Sequence, residues 1–250
     1  MKINQLSILI CILTIVFASE DKSVQEILLN TFHRLDSINH QFLVKFNESD
    51  KKTKTKSYQI SINWPLDGEV LKETRVLPIN KIKNKPSSFW EHQFKDKKKI
   101  KRWMSMPISG KLKDVSDKKS SKQFSLADLE FNEKDIFENS NDLIGTELID
   151  GQLRYVINSI KKSKEGKNKD FRKIWIGTDD YIIYKVEFYT KSGRLYRTVE
   201  CKSIFLLDGI HFPSEVYVKD RKSKSEIIVE LFDFIIDPEF SNDIFKPKSQ

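Results

Sequence analysis

The chain has 250 residues, and its 44 basic and 36 acidic residues give a formal net charge of +8 at pH 7. Its four histidines, at positions 33, 40, 92 and 211, are too scattered for a metal-binding motif, and Cys201 is the only cysteine beyond the N-terminal leader, so no intramolecular disulfide can form. The core alone must therefore hold the fold together, and the length suffices for one large β domain.

Residues 1–18 are predicted to be a cleavable signal peptide. Lys2 supplies the positive start, an apolar run follows, and small residues precede the expected cleavage site after Ala18. The run is shorter than the roughly 20 residues that span a membrane. We expect residues 19–250 to be exported to the periplasm as a single domain, and retention of the leader as an anchor is the alternative.

The mature chain begins with a predicted helix. Ser23 and Glu26 form a capping box, in which the serine hydroxyl accepts a hydrogen bond from a free amide of the first turn. Val24, Ile27 and Leu28 follow at the spacing of one helix face, which indicates an amphipathic helix.

Beyond residue 40 the apolar residues recur at every second position, as in half-buried strands. Two such runs are Phe42, Val44, Phe46 and Tyr58, Ile60, Ile62, Trp64. Later in the chain, Asp150-Gly151 between two apolar runs predicts a two-residue hairpin. About ten antiparallel strands with short turns predict a mainly β fold with a few helices (α+β), arranged as a half-open antiparallel β-barrel.

A short helix is predicted among these strands. Ser125 and Asp128 form a second capping box in a segment that otherwise separates two groups of strands. A helix that interrupts a curved sheet can cover its apolar face as a lid. The lid candidates are Phe124, Leu126 and Leu129.

Basic residues cluster in segments 51–56, 95–102, 161–169 and 219–224. Such clusters can bind nucleic acid. Each cluster, however, falls at or near a predicted hairpin end, where lysines keep loops solvated and protect edge strands. Export also removes the chain from most nucleic acid, so we expect no nucleic-acid partner. Peripheral contact with anionic lipid headgroups stays open.

The sequence contains neither a Gly-x-Ser-x-Gly motif nor a glycine-rich phosphate loop, so we expect no enzymatic activity, no cofactor and no metal. It is rich instead in large apolar side chains. A barrel of this size cannot fill its interior with side chains alone, so it either flattens or encloses a cavity. An apolar cavity would bind acyl chains, because each buried methylene contributes about 0.8 kcal/mol. The candidates for its lining are Phe42, Val44, Phe46, Tyr58, Ile60, Ile62, Trp64, Trp90, Trp103 and Met104.

From about Val70 onward, the order of motifs resembles the outer-membrane lipoprotein-sorting proteins of the LolA/LolB-like fold. The segments that carry the resemblance are 99–103, 116–121, 124–129, 153–157, 173–176, 184–195, 208–213 and 243–247. One departure is Ser121-Lys122-Gln123, where the family usually has Gly-Ser-Asp.

This resemblance implies a half-open barrel, plugged on one side by helices, that binds the acyl chains of lipoproteins or other lipids on their way to the outer membrane. An inner-membrane exporter is the candidate donor. The resemblance implies no catalytic residue. Two alternatives stay open. One is a lipid- or protein-sensing interaction module on the same scaffold, and the other is an exported hydrolase whose site is built from scattered residues.

Overall fold

The computed structural model describes residues 22–49, 54–79, 88–96, 99–106, 109–116, 133–161, 170–241 and 243–248. The predicted signal peptide and the predicted lid helix, with Phe124, Leu126 and Leu129, lie outside these residues. The described helices are α1 (Val24–His33) and α2 (Glu133–Glu138). Neither helix is long and apolar enough to cross a membrane.

Thirteen strands are described, in the following order along the chain: β1 (His40–Ser49), β2 (Lys54–Asn63), β3 (Val70–Pro78), β4 (Phe89–Phe94), β5 (Ile100–Ser105), β6 (Leu112–Asp114), β7 (Asn139–Ile149), β8 (Gln152–Lys161), β9 (Phe171–Gly177), β10 (Ile183–Tyr189), β11 (Leu195–Leu207), β12 (Ile210–Asp220) and β13 (Ser225–Ile236).

All thirteen strands form one antiparallel sheet in the order β6-β5-β4-β3-β2-β1-β13-β12-β11-β10-β9-β8-β7. Each half of the chain is a meander, and the pairing of β1 with β13 joins the two halves. The described strands leave the sheet open, with β6 and β7 at its two edges. The predicted class, an open antiparallel β fold with helices, is confirmed, although the structure has three strands more than the expected ten.

The ends of these elements follow local sequence signals. Ser23 caps α1, and its Oγ accepts a hydrogen bond from the Glu26 amide at 3.2 Å, as the capping box predicts. The predicted hairpin at Asp150-Gly151 is confirmed, because these two residues join β7 to β8 with φ angles of 53° and 77°. Two successive positive φ angles define the tight turn that matches the twist of paired strands, and glycine adopts them without a steric penalty.

The sheet has two faces, which differ in what covers them. The helix face carries the side chains of Phe42, Val44 and Ile60, which share one apolar cluster with Ile27 and Leu28 of α1. The tail face is the opposite face, on which Ile244 and Phe245 of the C-terminal tail (residues 238–241 and 243–248) contact β4.

Candidate functional site

The helix face is apolar across most of the sheet. Side chains of directly paired residues lie on the same face, so the strand register defines one row that runs from β13 to β8. Its members are Ile227, Val218, Val199, Val186, Ile174 and Ile157. All but Ile227 are buried, and Ile174 and Ile157 have no exposed surface. We call these six residues the apolar row.

Helix α1 covers part of this face. Ile27 and Leu28 are fully buried in the same cluster as the apolar row, and Val24, Leu29 and Phe32 pack against it with part of their surface exposed. Several residues of the face beyond them stay half-buried, among them Phe46, Tyr58, Ile62, Val76, Phe188 and Ile227. The apolar surface therefore extends beyond what α1 fully shields.

The structure brings seven of the ten predicted lining residues to the helix face. Phe42, Val44, Phe46, Tyr58, Ile60 and Ile62 belong to the central cluster or pack against it. Met104 pairs with Phe89, which pairs with Val76, so Met104 lies on the same face. That these residues line a cavity stays a prediction.

Two of the three tryptophans of that set lie on the opposite face. Trp90 pairs with Arg75 and Trp103, and Arg75 pairs with Ser61, a register that places Trp90 and Trp103 on the tail face. Trp64 follows β2, where its amide donates to Asn39 Oδ1 at 2.8 Å and the Lys72 ammonium lies over its ring. Trp90 and Trp103 cannot contact a ligand that lies against Phe42.

Aromatic rings close one end of the helix face. The rings of Phe42 and Phe234 are stacked with centroids 4.9 Å apart, and Phe212 lies 4.8 Å from Phe234. Phe205 contacts both Phe212 and Phe234. Such contacts add about 0.5–1.5 kcal/mol each beyond burial, so they stabilise this end of the face.

His40 lies beside these rings and is buried. Burial lowers the pKa of its imidazole, with smaller contributions from the cations Lys72 and Arg34, although Nδ1 lies 2.8 Å from the Ile38 carbonyl. Below about pH 6.5 the unfolded chain takes up a proton that the folded chain resists. The stability present above that pH is therefore lost as the pH falls toward the lower, folded pKa.

We expect the free energy of unfolding to fall with decreasing pH below about 6.5, with a contribution from His40 that approaches about 1.4 kcal/mol per pH unit. Urea unfolding at several pH values gives the unfolding free energy of wild type and His40→Gln as a function of pH. The difference between the two slopes against pH measures the contribution of His40. Equal slopes would contradict the assignment to His40.

Several polar side chains lie together near Arg34, which directly follows α1. Arg34 Nη1 donates to the His211 carbonyl at 2.5 Å, and burial lowers the pKa of this guanidinium. Tyr184 donates to Asp180 Oδ2 at 2.8 Å, and burial together with this hydrogen bond raises the pKa of Tyr184. Burial also raises the pKa of the Cys201 thiol to about 11. Cys201 therefore stays protonated at neutral pH and is a poor nucleophile.

The adjacent acids Asp179 and Asp180 lie in the turn between β9 and β10, where the Tyr184 hydroxyl donates to Asp180. Asp180 also accepts from the Ile182 amide at 2.9 Å, so both its oxygens serve the turn between β9 and β10. Within the ranges that the structure describes, no group of three or more histidine, cysteine, aspartate or glutamate residues could hold a metal ion.

The sequence analysis did not predict that the C-terminal tail docks on Trp90 and His92. Trp90 Nε1 donates to the Ile244 carbonyl at 3.1 Å, and His92 Nε2 lies 3.0 Å from the Phe245 carbonyl. Phe245 is buried and contacts Phe240 edge to face. The only signal in the sequence was the aromatic content of the tail, which does not reveal where the tail packs.

Comparison with known proteins supports this architecture. A family model described as "-like: Uncharacterized protein" matches residues 73–249. No curated protein sequence matches the chain. Solved structures do match, at low sequence identity, and therefore report on the fold.

One similar structure is a DUF1329 family protein from Desulfovibrio piger, with a TM-score of 0.72 and 16% identity over 89% of this chain and 95% of that one. Another is a domain from Vibrio parahaemolyticus named for outer membrane lipoprotein sorting, with a TM-score of 0.68 and 16% identity over 89% and 95% of the two chains. A LolA superfamily protein from Nitrosomonas europaea gives a TM-score of 0.61 and 18% identity over 90% and 97%. The resemblance stated from the sequence is confirmed for the fold.

Proposed function

Since the chain belongs to the family whose model matches residues 73–249 and has the LolA-like fold, we propose that it is an exported carrier that binds acyl chains of lipids or lipoproteins on its helix face. The observation that carries this proposal is the apolar row together with the half-buried apolar residues beside it. Binding would be reversible burial with no covalent step. The periplasm is the proposed location, because of the predicted signal peptide.

The energy of such binding follows from the surface. Each methylene that leaves water contributes about 0.8 kcal/mol, so a chain of several methylenes can offset the cost of ordering it. The half-buried residues Tyr58, Ile62 and Ile227 offer the surface that such a chain would cover. The fully buried members of the apolar row would support that surface from within.

The proposal predicts different effects for two isoleucines on opposite faces. Ile62 packs against the central cluster on the helix face, whereas Ile228, which is 41% exposed, pairs with Asn47 and Tyr217 on the tail face. We expect Ile62→Asn to weaken binding of a fluorescent fatty acid by about tenfold, since the lost contact is worth about 1–2 methylenes. We expect Ile228→Asn to leave binding unchanged.

The measurement is fluorescence titration of the delipidated mature chain, with native mass spectrometry of protein purified without detergent as the second readout. Circular dichroism would establish that both variants are folded. Failure of the wild type to take up any fatty acid, or equal loss in both variants, would contradict the proposal.

A second candidate function, a lipid- or protein-sensing interaction module, is favoured by the edge strand β7. This eleven-residue edge carries exposed apolar side chains, with Ile144 59% and Leu148 70% exposed. An exposed apolar edge strand can accept a strand from another protein. This function would be favoured over the carrier if a protein partner co-purified stoichiometrically with the wild type, which would then carry no bound lipid. The Ile144→Lys variant should not retain that partner.

A further inference from the structure

The docked tail encloses a recess on the tail face that the proposed carrier function does not use. The recess has a volume of about 320 Å³ and is open to solvent on one side. Its walls come from two places: Arg75 and Trp90 belong to the sheet, while Asp243, Ile244, Lys246 and Lys248 belong to the tail. We call it the tail recess.

Arg75 is the unusual member of this recess. It lies on β3, an inner strand of the sheet, and pairs with Ser61 and Trp90. Its Nε–H is buried and finds no hydrogen-bond acceptor in the part of the chain that the structure describes. Leaving a buried charged donor unsatisfied costs more than leaving a neutral one, so such a donor normally has an anionic partner. Burial also lowers the pKa of this guanidinium.

The neighbouring carboxylates are engaged elsewhere. Glu73, on the same face of β3, accepts from Asn63 Nδ2 at 2.8 Å and lies 3.7 Å from His92 Nε2. Asp243 pairs with Lys246 at 2.8 Å and with Lys248 at 3.4 Å. Among the ion pairs of the described residues, none includes Arg75.

The charge of the recess selects the kind of ligand. Three cations, Arg75, Lys246 and Lys248, and one carboxylate, Asp243, sum to +2. A phosphate monoester carries about −1.5 to −2 at neutral pH. A guanidinium donates to two phosphate oxygens at once, and the volume of the recess exceeds that of the phosphate alone. The indole of Trp90 would contact the esterified group.

We propose that the tail recess binds a phosphate monoester, with Arg75 as the central contact and Lys246 and Lys248 at the rim. The phosphate would link the sheet to the tail, because its partners come from both. Occupancy would therefore hold the tail more firmly on β4. The recess is on the face opposite to the apolar row, so this inference does not depend on the carrier function.

Two variants and one control test the proposal in the mature chain. Arg75→Gln removes the central cation. Lys248→Gln removes a rim cation whose side chain is 53% exposed, so the fold is at little risk in the second variant. Arg221→Gln is the control, since it removes one positive charge at the exposed turn between β12 and β13. The readouts are calorimetric titration with inorganic phosphate and glycerol 3-phosphate, and amide exchange of the tail.

We expect both phosphates to bind the wild type and Arg221→Gln alike, and to slow exchange of the Ile244 and Lys246 amides, which donate to carbonyls within the tail. Arg75→Gln should weaken binding by about tenfold or more, and Lys248→Gln by a smaller factor. Absence of phosphate binding to the wild type, or equal affinities in all four proteins, would overturn the proposal.

The source of the phosphate is tested with vesicles. A lipid headgroup would be identified by two results together. The wild type would be recruited to phosphatidylcholine vesicles that contain phosphatidic acid but not to phosphatidylcholine alone, and Arg75→Gln would lose this recruitment. Binding of glycerol 3-phosphate without vesicle recruitment would identify a soluble phosphate ester. Fatty-acid uptake should be unchanged in Arg75→Gln, so failure of this site and failure of the carrier function are distinguishable.

Discussion

Replacing Leu28 by alanine is expected to lower the free energy of unfolding by about 2–5 kcal/mol, the range that buried leucines show. Leu28 has no exposed surface and packs, with Ile27, into the cluster that α1 shares with the sheet. The alanine would leave a cavity between α1 and strands that already pair on both sides, so the neighbours can close only part of it.

Urea unfolding followed by circular dichroism measures this loss. The matched control is Leu66→Ala, since Leu66 is 94% exposed in the turn between β2 and β3 and should change stability by no more than about 0.5 kcal/mol. Similar losses in the two variants would show that α1 does not pack on the helix face as described. The same experiment gives the slope of the unfolding free energy against urea concentration. A lower slope in Leu28→Ala would show that the native state of this variant is itself disrupted.

The second large effect is expected for Gly177→Ala, at the end of β9. A Cβ atom at this position would lie 2.1 Å from Asp180 Oδ1 and 3.0 Å from both Asp180 Cγ and Tyr184 Cε2. Asp180 would have to move, which would break its hydrogen bonds from the Ile182 amide and the Tyr184 hydroxyl. Overpacking costs about 1–3 kcal/mol, and each hydrogen bond lost adds about 1 kcal/mol.

A double-mutant cycle separates the clash from other causes. In an Asp180→Ala background the 2.1 Å contact with Oδ1 is gone and only Tyr184 Cε2 stays at 3.0 Å, so Gly177→Ala should cost less than in the wild type. Thermal or urea unfolding of the four proteins gives the coupling energy. The same cost in both backgrounds would mean that the space around Gly177 is not limited by Asp180.

The sequence predicted the elements of this fold better than their relative placement. Alternation identified β1 and β2, the capping box identified α1, and Asp150-Gly151 identified a hairpin, because each signal is local. Strand β6 was missed because three residues are too few for an alternation. The beginning of β7 gives no strand signal in the sequence, because Asn139, Ser140 and Asn141 are polar.

The candidate site shows the same limit. Alternation divides the side chains of one strand into two sets, one for each face of the sheet. Only the pairing register determines which set of the next strand lies on the same face. Trp90 and Phe42 therefore looked equivalent in the sequence, whereas the register places them on opposite faces. Arg75 carries no signal in the sequence that would single it out, and only the docked tail makes it part of a recess.

The pairing of the first strand with the last has a consequence for how the chain reaches its native state. Within each meander the neighbouring strands are close in the sequence, but β1 and β13 are separated by nearly the whole chain. Contacts of such long sequence separation form slowly, because the entropy of closing the intervening chain is lost before the contact is gained. During synthesis from the N-terminus, β1 stays an edge strand until β13 arrives. The joint at the centre of the sheet is thus the last to close and the most exposed to wrong partners on the way.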